Sequence, residues 1–308
     1  MSFIRHLIES IKEKRSAICM GLDPRLDKEG QIPEYLKEEF ETPNEIILEF
    51  NKALIDHTSD LIPVIKPQMA FYEKYEALKA LKETIKYAHK KDLLVILDAK
   101  RNDIGSTCEA YAYSLFKNYH ADACTINAYF GIDGVKPFLD YKNKGIFILV
   151  KTSNPSSGDF QNLFAVRLDD VNNKKSQIRA DGITLERNYL HMANLVNRWS
   201  KTLEKFSNYC NLGVVAGATY PDELKILRKT IPNSMILIPG YGAQGATAED
   251  IKHGFDNQGL GAIVNSSRGI MFAYQKNKIK PEHFDKAART MILKMKKRIN
   301  KKINLSKF

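Results

Sequence analysis

About one third of the way along the chain an acid and a base stand two residues apart, Asp98 and Lys100, and a second acid, Asp103, follows. The apolar run 93–97 before them is typical of a buried parallel strand, and 105–107 is typical of a helix start. Since side chains two apart on a strand share a face, we expect Asp98 and Lys100 to pair. α/β enzymes commonly perform catalysis at such a strand end.

Eight apolar runs typical of strands alternate with segments that have helical spacing or capping residues. The predicted strands are residues 17–22, 61–65, 93–97, 123–126, 146–150, 212–216, 235–238 and 262–264. The predicted helices are residues 46–57, 72–90, 106–119, 132–142, 187–206, 221–229 and 247–253. Eight strand–helix units in 308 residues predict a single-domain α/β fold, the (β/α)8 TIM barrel, although periodicity also allows a doubly wound open sheet.

Polar side chains follow the first five predicted strands, at the end where a barrel enzyme has its active site. Each of them alone has an ordinary structural explanation, such as a turn or a salt bridge. Together they predict one site at the mouth of the barrel. These side chains are Asp23, Lys66, Gln68, Asp98, Lys100, Asn127 and residues 151–153.

The segments after the seventh and eighth predicted strands have the composition of an anion site. Residues 239–245, PGYGAQG, offer exposed backbone amides, and Ser266, Ser267 and Arg268 follow the next strand. Loops in these two places commonly bind phosphate in a barrel. The glycines of PGYGAQG also match the dinucleotide fingerprint, but the motif does not open a first βαβ unit, so we do not favour a dinucleotide.

Residues 154–185 form a long polar segment after the fifth predicted strand. Long loops at this end of a barrel are often functional, and this one could close over a ligand. A surface loop without function fits the composition equally well.

The composition is compatible with an enzyme of the reducing cytoplasm. Four scattered cysteines include no Cys-x-x-Cys, which argues against a disulfide framework and against a metal site of the zinc type. No apolar stretch is long enough to span a membrane. The net charge of +11 comes partly from a basic tail at about 294–308, and because aromatic residues are not interleaved with these charges, we do not expect a nucleic-acid site.

These motifs resemble those of the orotidine 5'-phosphate decarboxylases. DAKRNDIGST, residues 98–107, fits the family signature D-x-K-x-x-D-I-x-x-T, and GLDP, the strand-two lysine, KTSN, PGYGAQ and SSRG occur in the family's order. The resemblance covers nearly the whole chain and is greatest for the longer-chain branch, whose loop after KTSNP is extended. It implies a TIM barrel and would account for residues 154–185.

The resemblance also implies a role for each matching residue. Lys66, Asp98, Lys100 and Asp103 would form an alternating charged array, in which Asp103 comes from the partner subunit of a homodimer with shared active sites. Gln68 takes the place of a small amide near the ribose in related chains. The resemblance places Asp23 and Lys66 at the ribose, together with Thr107, which reaches across the dimer as Ile104 does. It places Thr152 and Ser153 at the pyrimidine, with Pro239 packing on the ring. Gln244, Ser267 and Arg268 would contact the phosphate.

The implied reaction is the decarboxylation of orotidine 5'-phosphate to uridine 5'-phosphate in pyrimidine (UMP) biosynthesis. Loss of CO2 leaves a carbanion at carbon 6, so a fixed positive charge must stand where negative charge develops. Lys100 would supply that charge and then protonate carbon 6, which requires neither a metal nor a cofactor. Orotate phosphoribosyltransferase is the implied candidate for a partner enzyme.

Two other functions are open from the residues alone. A phosphosugar aldolase or lyase of the same fold could use Lys66, Lys100 or Lys151 as a Schiff-base nucleophile. That chemistry needs a neutral amine, whereas Asp98 and Asp103 favour the charged form of Lys100. A non-catalytic nucleotide-binding protein could retain the barrel, but the intact set of two acids and a lysine argues against this interpretation.

Overall fold

The computed structural model describes residues 1–28, 31–165, 185–242 and 245–305. Eight parallel strands pair in chain order around a closed barrel, and the eighth pairs with the first. This closure confirms the (β/α)8 barrel and excludes the open sheet. The strands are β1 Ile18–Leu22, β2 Val64–Pro67, β3 Leu94–Arg101, β4 Ala123–Ile126, β5 Gly145–Lys151, β6 Tyr209–Ala216, β7 Ser234–Ile238 and β8 Ala262–Ser266.

All eight strands lie at or next to their predicted positions, but some ends differ. β2 begins at Val64 rather than at Leu61, because Pro63 has no N–H to donate to a ladder. β3 extends past residue 97 to Arg101, whose carbonyl accepts a hydrogen bond from the Asn127 N–H at 2.9 Å. The charged residues of β3 therefore belong to the strand itself and are fixed by its neighbours.

Helices cover the outside of the barrel. None of those within the described residues is both long and apolar enough to cross a membrane. A π-helical turn, Ser114–Asn118, extends the sixth helix, and the 3-10 turns are Gly131–Gly134, Pro155–Ser157, Lys252–Gly254 and Pro281–His283. The helices are α1 Phe3–Lys14, α2 Glu34–Glu39, α3 Pro43–Thr58, α4 Met69–Lys74, α5 Leu78–Lys90, α6 Gly105–Tyr113, α7 Lys136–Leu139, α8 Gly158–Gln161, α9 Asn188–Ser200, α10 Pro221–Thr230, α11 Ala248–Ile251, α12 Arg268–Met271, α13 Ala273–Lys276 and α14 Phe284–Ile303.

Three predicted helices have a different course. The helix predicted for residues 132–142 is the 3-10 turn Gly131–Gly134 followed by α7, which ends at Leu139. The helix predicted for residues 72–90 is two helices, α4 and α5, because Glu76 takes a left-handed conformation between them with φ of 52°. The helix predicted for residues 187–206 ends at Ser200, after which Lys205–Phe206 pairs antiparallel with the start of β6. Apolar spacing alone did not separate this short hairpin from a continuing helix.

Two long helices, α1 and α14, lie outside the predicted alternation. α14 packs on α3, where the rings of Phe284 and Phe50 stack with centroids 4.9 Å apart. The first part of the basic tail belongs to α14, and its apolar residues Met295, Ile299 and Ile303 are buried at helical spacing. Its lysines therefore occupy the other faces of a packed helix.

The structure describes the two ends of the long segment 154–185. One end contains the turn Pro155–Ser157 and α8, and it continues to Phe164–Ala165. Phe164–Ala165 pairs antiparallel with Glu186–Arg187, so the ends of the segment meet before α9 begins. Residues 166–184 lie outside the described residues, and closure over a ligand stays a prediction.

We expect Phe50→Ala to lower the free energy of unfolding by about 3–5 kcal/mol, because Phe50 is fully buried against α14. Leu293→Ala, at an exposed position of α14, should change it by less than about 0.5 kcal/mol. Urea unfolding followed by circular dichroism measures both values. Similar losses in the two variants would contradict the packing of α14 on α3.

Candidate functional site

A cavity of about 640 Å³ opens at the carboxyl ends of the barrel strands. Residues that follow or end β1, β2, β3, β5, β7 and β8 line it, so the barrel mouth brings together side chains that are far apart in the chain. The predicted site residues on its wall are Asp23, Lys66, Gln68, Asp98, Lys100, Thr152, Ser153, Pro239, Ser267 and Arg268.

The carboxylate of Asp98 is the centre of a hydrogen-bond network at this cavity. Its Oδ2 accepts hydrogen bonds from Lys66 Nζ at 2.6 Å and from Gln68 Nε2 at 3.1 Å. Its Oδ1 accepts hydrogen bonds from Lys100 Nζ at 2.6 Å and from Thr125 Oγ1 at 2.8 Å. Two donors on each oxygen use the acceptor capacity of a carboxylate, which fixes Asp98 in one orientation.

The charges of this network shift the pKa values of Asp98 and Lys66. Burial alone would raise the pKa of Asp98, but the charges of Lys66 and Lys100 and their hydrogen bonds hold it well below its usual range. Burial alone would lower the pKa of Lys66, but the charges of Asp98 and Asp23 and the hydrogen bond to Asp98 raise it. The pair of Asp98 and Lys66 therefore stays charged at neutral pH.

Lys100 combines a fixed ammonium group with access to the cavity. Its side chain is 46% exposed, whereas that of Lys66 is 5% exposed. Its backbone is left-handed, with φ of 47°, and its N–H donates to Thr125 Oγ1 at 3.1 Å. A non-glycine residue pays about 1 kcal/mol or more for this conformation. The predicted pair thus forms through a local departure from regular strand geometry that turns the ammonium toward Asp98.

Thr125 is a member of the network that the sequence analysis missed. It lies in β4, is 1% exposed, and contacts both the carboxylate of Asp98 and the backbone of Lys100. A single hydroxyl in the otherwise apolar run ACTI was the available signal, because a buried hydroxyl needs a partner. Only the pairing of β3 with β4 identifies that partner.

Two oxygens near the ends of β1 and β8 are buried without a hydrogen-bond donor among the described residues, Oδ1 of Asp23 and Oδ1 of Asn265. Both residues line the cavity. A buried acceptor without a donor is costly, so these oxygens are suited to ligand hydroxyl or amide donors. Asn265 was not among the predicted site residues. Arg25 also lines the cavity, with its guanidinium 5.1 Å from the centre of the Phe71 ring.

The anion side of the cavity is formed by the segments after β7 and β8. Arg268 begins α12 and, with Ser267, faces the same cavity as Pro239 and Gly240. Gly240 has φ of 102°, a conformation that favours glycine and turns the chain away from β7. Gln244, the other predicted phosphate contact, lies outside the described residues.

The strand-end residues Asn127 and Lys151 are not on the wall of this cavity. Nor are three of the residues that the resemblance implies: Asp103, Ile104 and Thr107. The Asp103 carboxylate accepts a hydrogen bond from the Ile104 N–H at 2.9 Å. Ile104 is 53% exposed, and Thr107 is exposed as well. A single chain therefore contributes these residues to its surface and not to its own cavity.

Comparison with known proteins gives one consistent family. Residues 16–279 match the family described as Orotidine 5'-phosphate decarboxylase / HUMPS. An orotidine 5'-phosphate decarboxylase of Rhodopirellula baltica is 38% identical over 293 residues, which is 90% of each chain.

Solved structures agree in both fold and sequence. A structure from Toxoplasma gondii, titled as a putative orotidine-monophosphate-decarboxylase, has a TM-score of 0.74 and 32% identity, covering 95% of this chain and 98% of that one. The Leishmania donovani UMP synthase has a TM-score of 0.73 and 33% identity; the match covers 96% of this chain and 57% of that one.

We expect Asp98→Asn to lower the free energy of unfolding near pH 7 by about 3–5 kcal/mol, because it leaves the buried Lys66 ammonium without its counter-charge. The difference from wild type should shrink at both ends of the pH range. The folded pKa of Asp98 lies below its unfolded value of about 3.9, so its contribution is complete above that pH and is lost as the pH falls. The folded pKa of Lys66 lies above its unfolded value of about 10.4, so its contribution is complete below that pH and is lost as the pH rises.

Unfolding free energies of both proteins between about pH 3 and about pH 11 test this prediction. A difference that stays constant over the whole range would show that the ion pair is not its cause.

Proposed function

Because the chain belongs to the orotidine 5'-phosphate decarboxylase / HUMPS family, we propose that its cavity decarboxylates orotidine 5'-phosphate to uridine 5'-phosphate in pyrimidine biosynthesis. The enzyme is a carboxy-lyase. The observation that carries the proposal is the buried Asp98 carboxylate with the Lys66 and Lys100 ammonium groups bound at 2.6 Å to its two oxygens. This arrangement holds a positive charge at a fixed, accessible position in the cavity.

The proposed chemistry uses the Lys100 ammonium twice. When the bond between carbon 6 and the carboxylate breaks, CO2 leaves and the electron pair stays on carbon 6, where the ammonium stabilises it. Lys100 then gives a proton to carbon 6, which forms the C–H bond of uridine 5'-phosphate. The partly exposed amine regains a proton from water. Asp98 positions the ammonium, and none of these steps requires a cofactor.

The cavity offers a separate region for each part of the nucleotide. Asp23 and Lys66 bind the ribose hydroxyls in this proposal. Oδ1 of Asp23, which has no donor among the residues that the structure describes, supports this role. Thr152 and Ser153 bind the pyrimidine, and Pro239 packs on the ring. Gln68 is fixed by Asp98 beside the ribose. Arg268, Ser267 and Gln244 bind the phosphate.

The phosphosugar aldolase is the less favoured alternative. The Rhodopirellula baltica relative, which matches 90% of the chain, is named a decarboxylase. The Lys66 ammonium donates to Asp98, and this carboxylate favours the charged form of Lys66 over the neutral amine that a Schiff base requires. The Lys100 ammonium is bound to the other oxygen of the same carboxylate. Borohydride trapping with a phosphosugar distinguishes the two functions, and we expect no covalent adduct on Lys66, Lys100 or Lys151.

A homodimer with shared active sites is part of the proposal. Ile104, Tyr129, Phe130 and Ile132 are large apolar residues with more than a third of their surface exposed. Gly134 lies between Phe130 and Asp103: a Cβ added to it would be 3.4 Å from the Phe130 side chain and 3.0 Å from the Asp103 carbonyl oxygen. The exposed apolar surface therefore adjoins Asp103. Covering it with a second copy would bury the apolar area and bring Asp103, Ile104 and Thr107 toward the partner's cavity.

Three further points belong to the proposal. The four cysteines are unpaired and buried, as in a protein of the reducing cytoplasm. The family match over residues 16–279 and the packing of α14 on α3 support a single domain, which we propose as residues 1–308. Orotate phosphoribosyltransferase is the proposed partner enzyme, with the basic tail from residue 294 as a contact; the greater length of the Leishmania UMP synthase supports a physical association of this kind.

The ultraviolet absorbance of orotidine 5'-phosphate mixed with the purified protein in a chelator tests the function. We expect the substrate absorbance to fall as uridine 5'-phosphate forms, and we expect no change with Lys100→Ala. Lys100→Ala should still bind uridine 5'-phosphate, which shows that the variant is folded. Turnover by Lys100→Ala would contradict the assignment.

Arg268→Ala should reduce kcat/KM for orotidine 5'-phosphate far more than for orotidine, the nucleoside without phosphate. The reason is that binding energy from the phosphate is used to order the site for the reacting bond. Steady-state kinetics with both substrates give the two ratios. Equal losses on both would rule out a phosphate contact for Arg268.

Mixing inactive Lys100→Ala with inactive Asp103→Ala should restore about a quarter of the wild-type activity, because half of randomly formed dimers are hybrids with one intact site. The activity of the mixture after subunit exchange is the measurement. If the mixture stays inactive although mass spectrometry detects hybrid dimers, the shared site is wrong.

A further inference from the structure

Lys151, the last residue of β5, is 1% exposed and contributes to no wall of the main cavity. Its ammonium donates to Ser157 Oγ at 3.0 Å and lies 4.3 Å from the centre of the Tyr220 ring. The hydroxyls of Ser157 and Tyr220 are 3.3 Å apart. No ion pair joins Lys151 to a carboxylate within the described part of the chain. Burying a lysine without a carboxylate partner costs folding free energy. This cost points to a role that a smaller apolar residue could not perform.

The Lys151 cluster, which consists of Lys151, Ser157 and Tyr220, ties three segments together. Lys151 ends β5, Ser157 ends the 3-10 turn Pro155–Ser157, and Tyr220 precedes α10. The cluster thereby fixes the turn from which α8 starts, since α8 begins at the residue after Ser157.

The last residue of α8, Gln161, forms two hydrogen bonds with Thr152, which lines the cavity. Thr152 donates its backbone N–H to Gln161 Oε1 at 2.9 Å, and Gln161 Nε2 donates to Thr152 Oγ1 at 2.8 Å. A backbone N–H can only donate, so the amide atom that it meets must be the oxygen. The amide NH2 of Gln161 therefore faces the Thr152 hydroxyl.

The Thr152 hydroxyl has only one direction left for its own proton. It donates to Asn154 Oδ1 at 2.6 Å, while Asn154 Nδ2 donates to Ser156 Oγ at 3.3 Å. A hydroxyl has one proton and two lone pairs. With its proton used by Asn154 and one lone pair used by Gln161, Thr152 Oγ1 can offer a ligand one lone pair and nothing else.

We propose that Gln161, held by the Lys151 cluster, is a specificity-determining positioning residue that makes Thr152 a hydrogen-bond acceptor toward the base. This inference rests on the proposed function. A ring of the uracil type carries hydrogen on nitrogen 3 and can donate to that acceptor. A ring of the cytosine type has a lone pair on the same nitrogen, which would face the lone pair of Thr152.

The dissociation constants of three ligands, measured by calorimetry, test the inference. The ligands are uridine 5'-phosphate, cytidine 5'-phosphate and ribose 5-phosphate, which has no base. Gln161→Ala should weaken the binding of uridine 5'-phosphate about tenfold, the effect of one lost hydrogen bond. It should also lower the protein's preference for uridine 5'-phosphate over cytidine 5'-phosphate. Ribose 5-phosphate should bind within about twofold of wild type, because it has no base. Asp159→Ala, an exposed change in the same helix, is the matched control and should alter none of the three affinities.

The Lys151 cluster is tested by Lys151→Met and by the milder Ser157→Ala. Either change should give the same pattern as Gln161→Ala, and combining it with Gln161→Ala should add little, because the residues act through one another. The inference is wrong if the variants weaken the binding of all three ligands equally. It is also wrong if Gln161→Ala leaves the protein's preference between the two nucleotides unchanged. If the wild-type protein itself does not bind uridine 5'-phosphate, the proposed function fails first.

Discussion

The site depends on keeping the carboxylate of Asp98 charged where only 6% of the residue is exposed. Such a charge is tolerated only when it is paired and its lone pairs are satisfied. Its four donors come from β2, from the residue after β2, from β3 and from β4. Three neighbouring strands must therefore be in the correct register before the carboxylate can be buried, and closure of the barrel provides that register.

The same constraint assigns different tasks to the two lysines. Lys66 is buried and locked by Asp98, and its raised pKa keeps it charged. Lys100 is bound to the other oxygen but half exposed, so it can meet a ligand and exchange protons with water. The left-handed backbone at Lys100 is the local cost of directing this side chain, and the hydrogen bond to Thr125 holds it there.

The sequence was sufficient for the strand–helix alternation and for most of the cavity wall, because eight apolar runs and the polar residues after them are local patterns. The choice of a closed barrel over an open sheet needed the family resemblance as well. It was not sufficient for contacts between strands: Thr125 and Asn265 look like ordinary strand residues until β4 and β8 are paired with their neighbours. Gln161 lies nine residues from Thr152 in a polar segment, and only the folded turn shows that it binds Thr152 twice. The helix α14 has a basic composition that masks its buried apolar face.

The site joins a rigid centre to a less regular rim. The strands fix the charged network, while the segments after β5, β7 and β8 bring hydroxyl, amide and guanidinium groups from the rim to the same cavity. In the proposed reaction, the rim selects and orients the nucleotide, and the ammonium of Lys100 stabilises the carbanion at carbon 6.

The most direct test of that central claim uses the product, which has no carboxylate. Exchange of the carbon 6 hydrogen of uridine 5'-phosphate for deuterium in D2O, followed by proton NMR, reports formation of the carbanion alone. We predict exchange catalysed by the wild-type protein and none by Lys100→Ala at concentrations where the variant binds the nucleotide. Equal exchange by both proteins would contradict the claim that the fixed ammonium of Lys100 stabilises the carbanion.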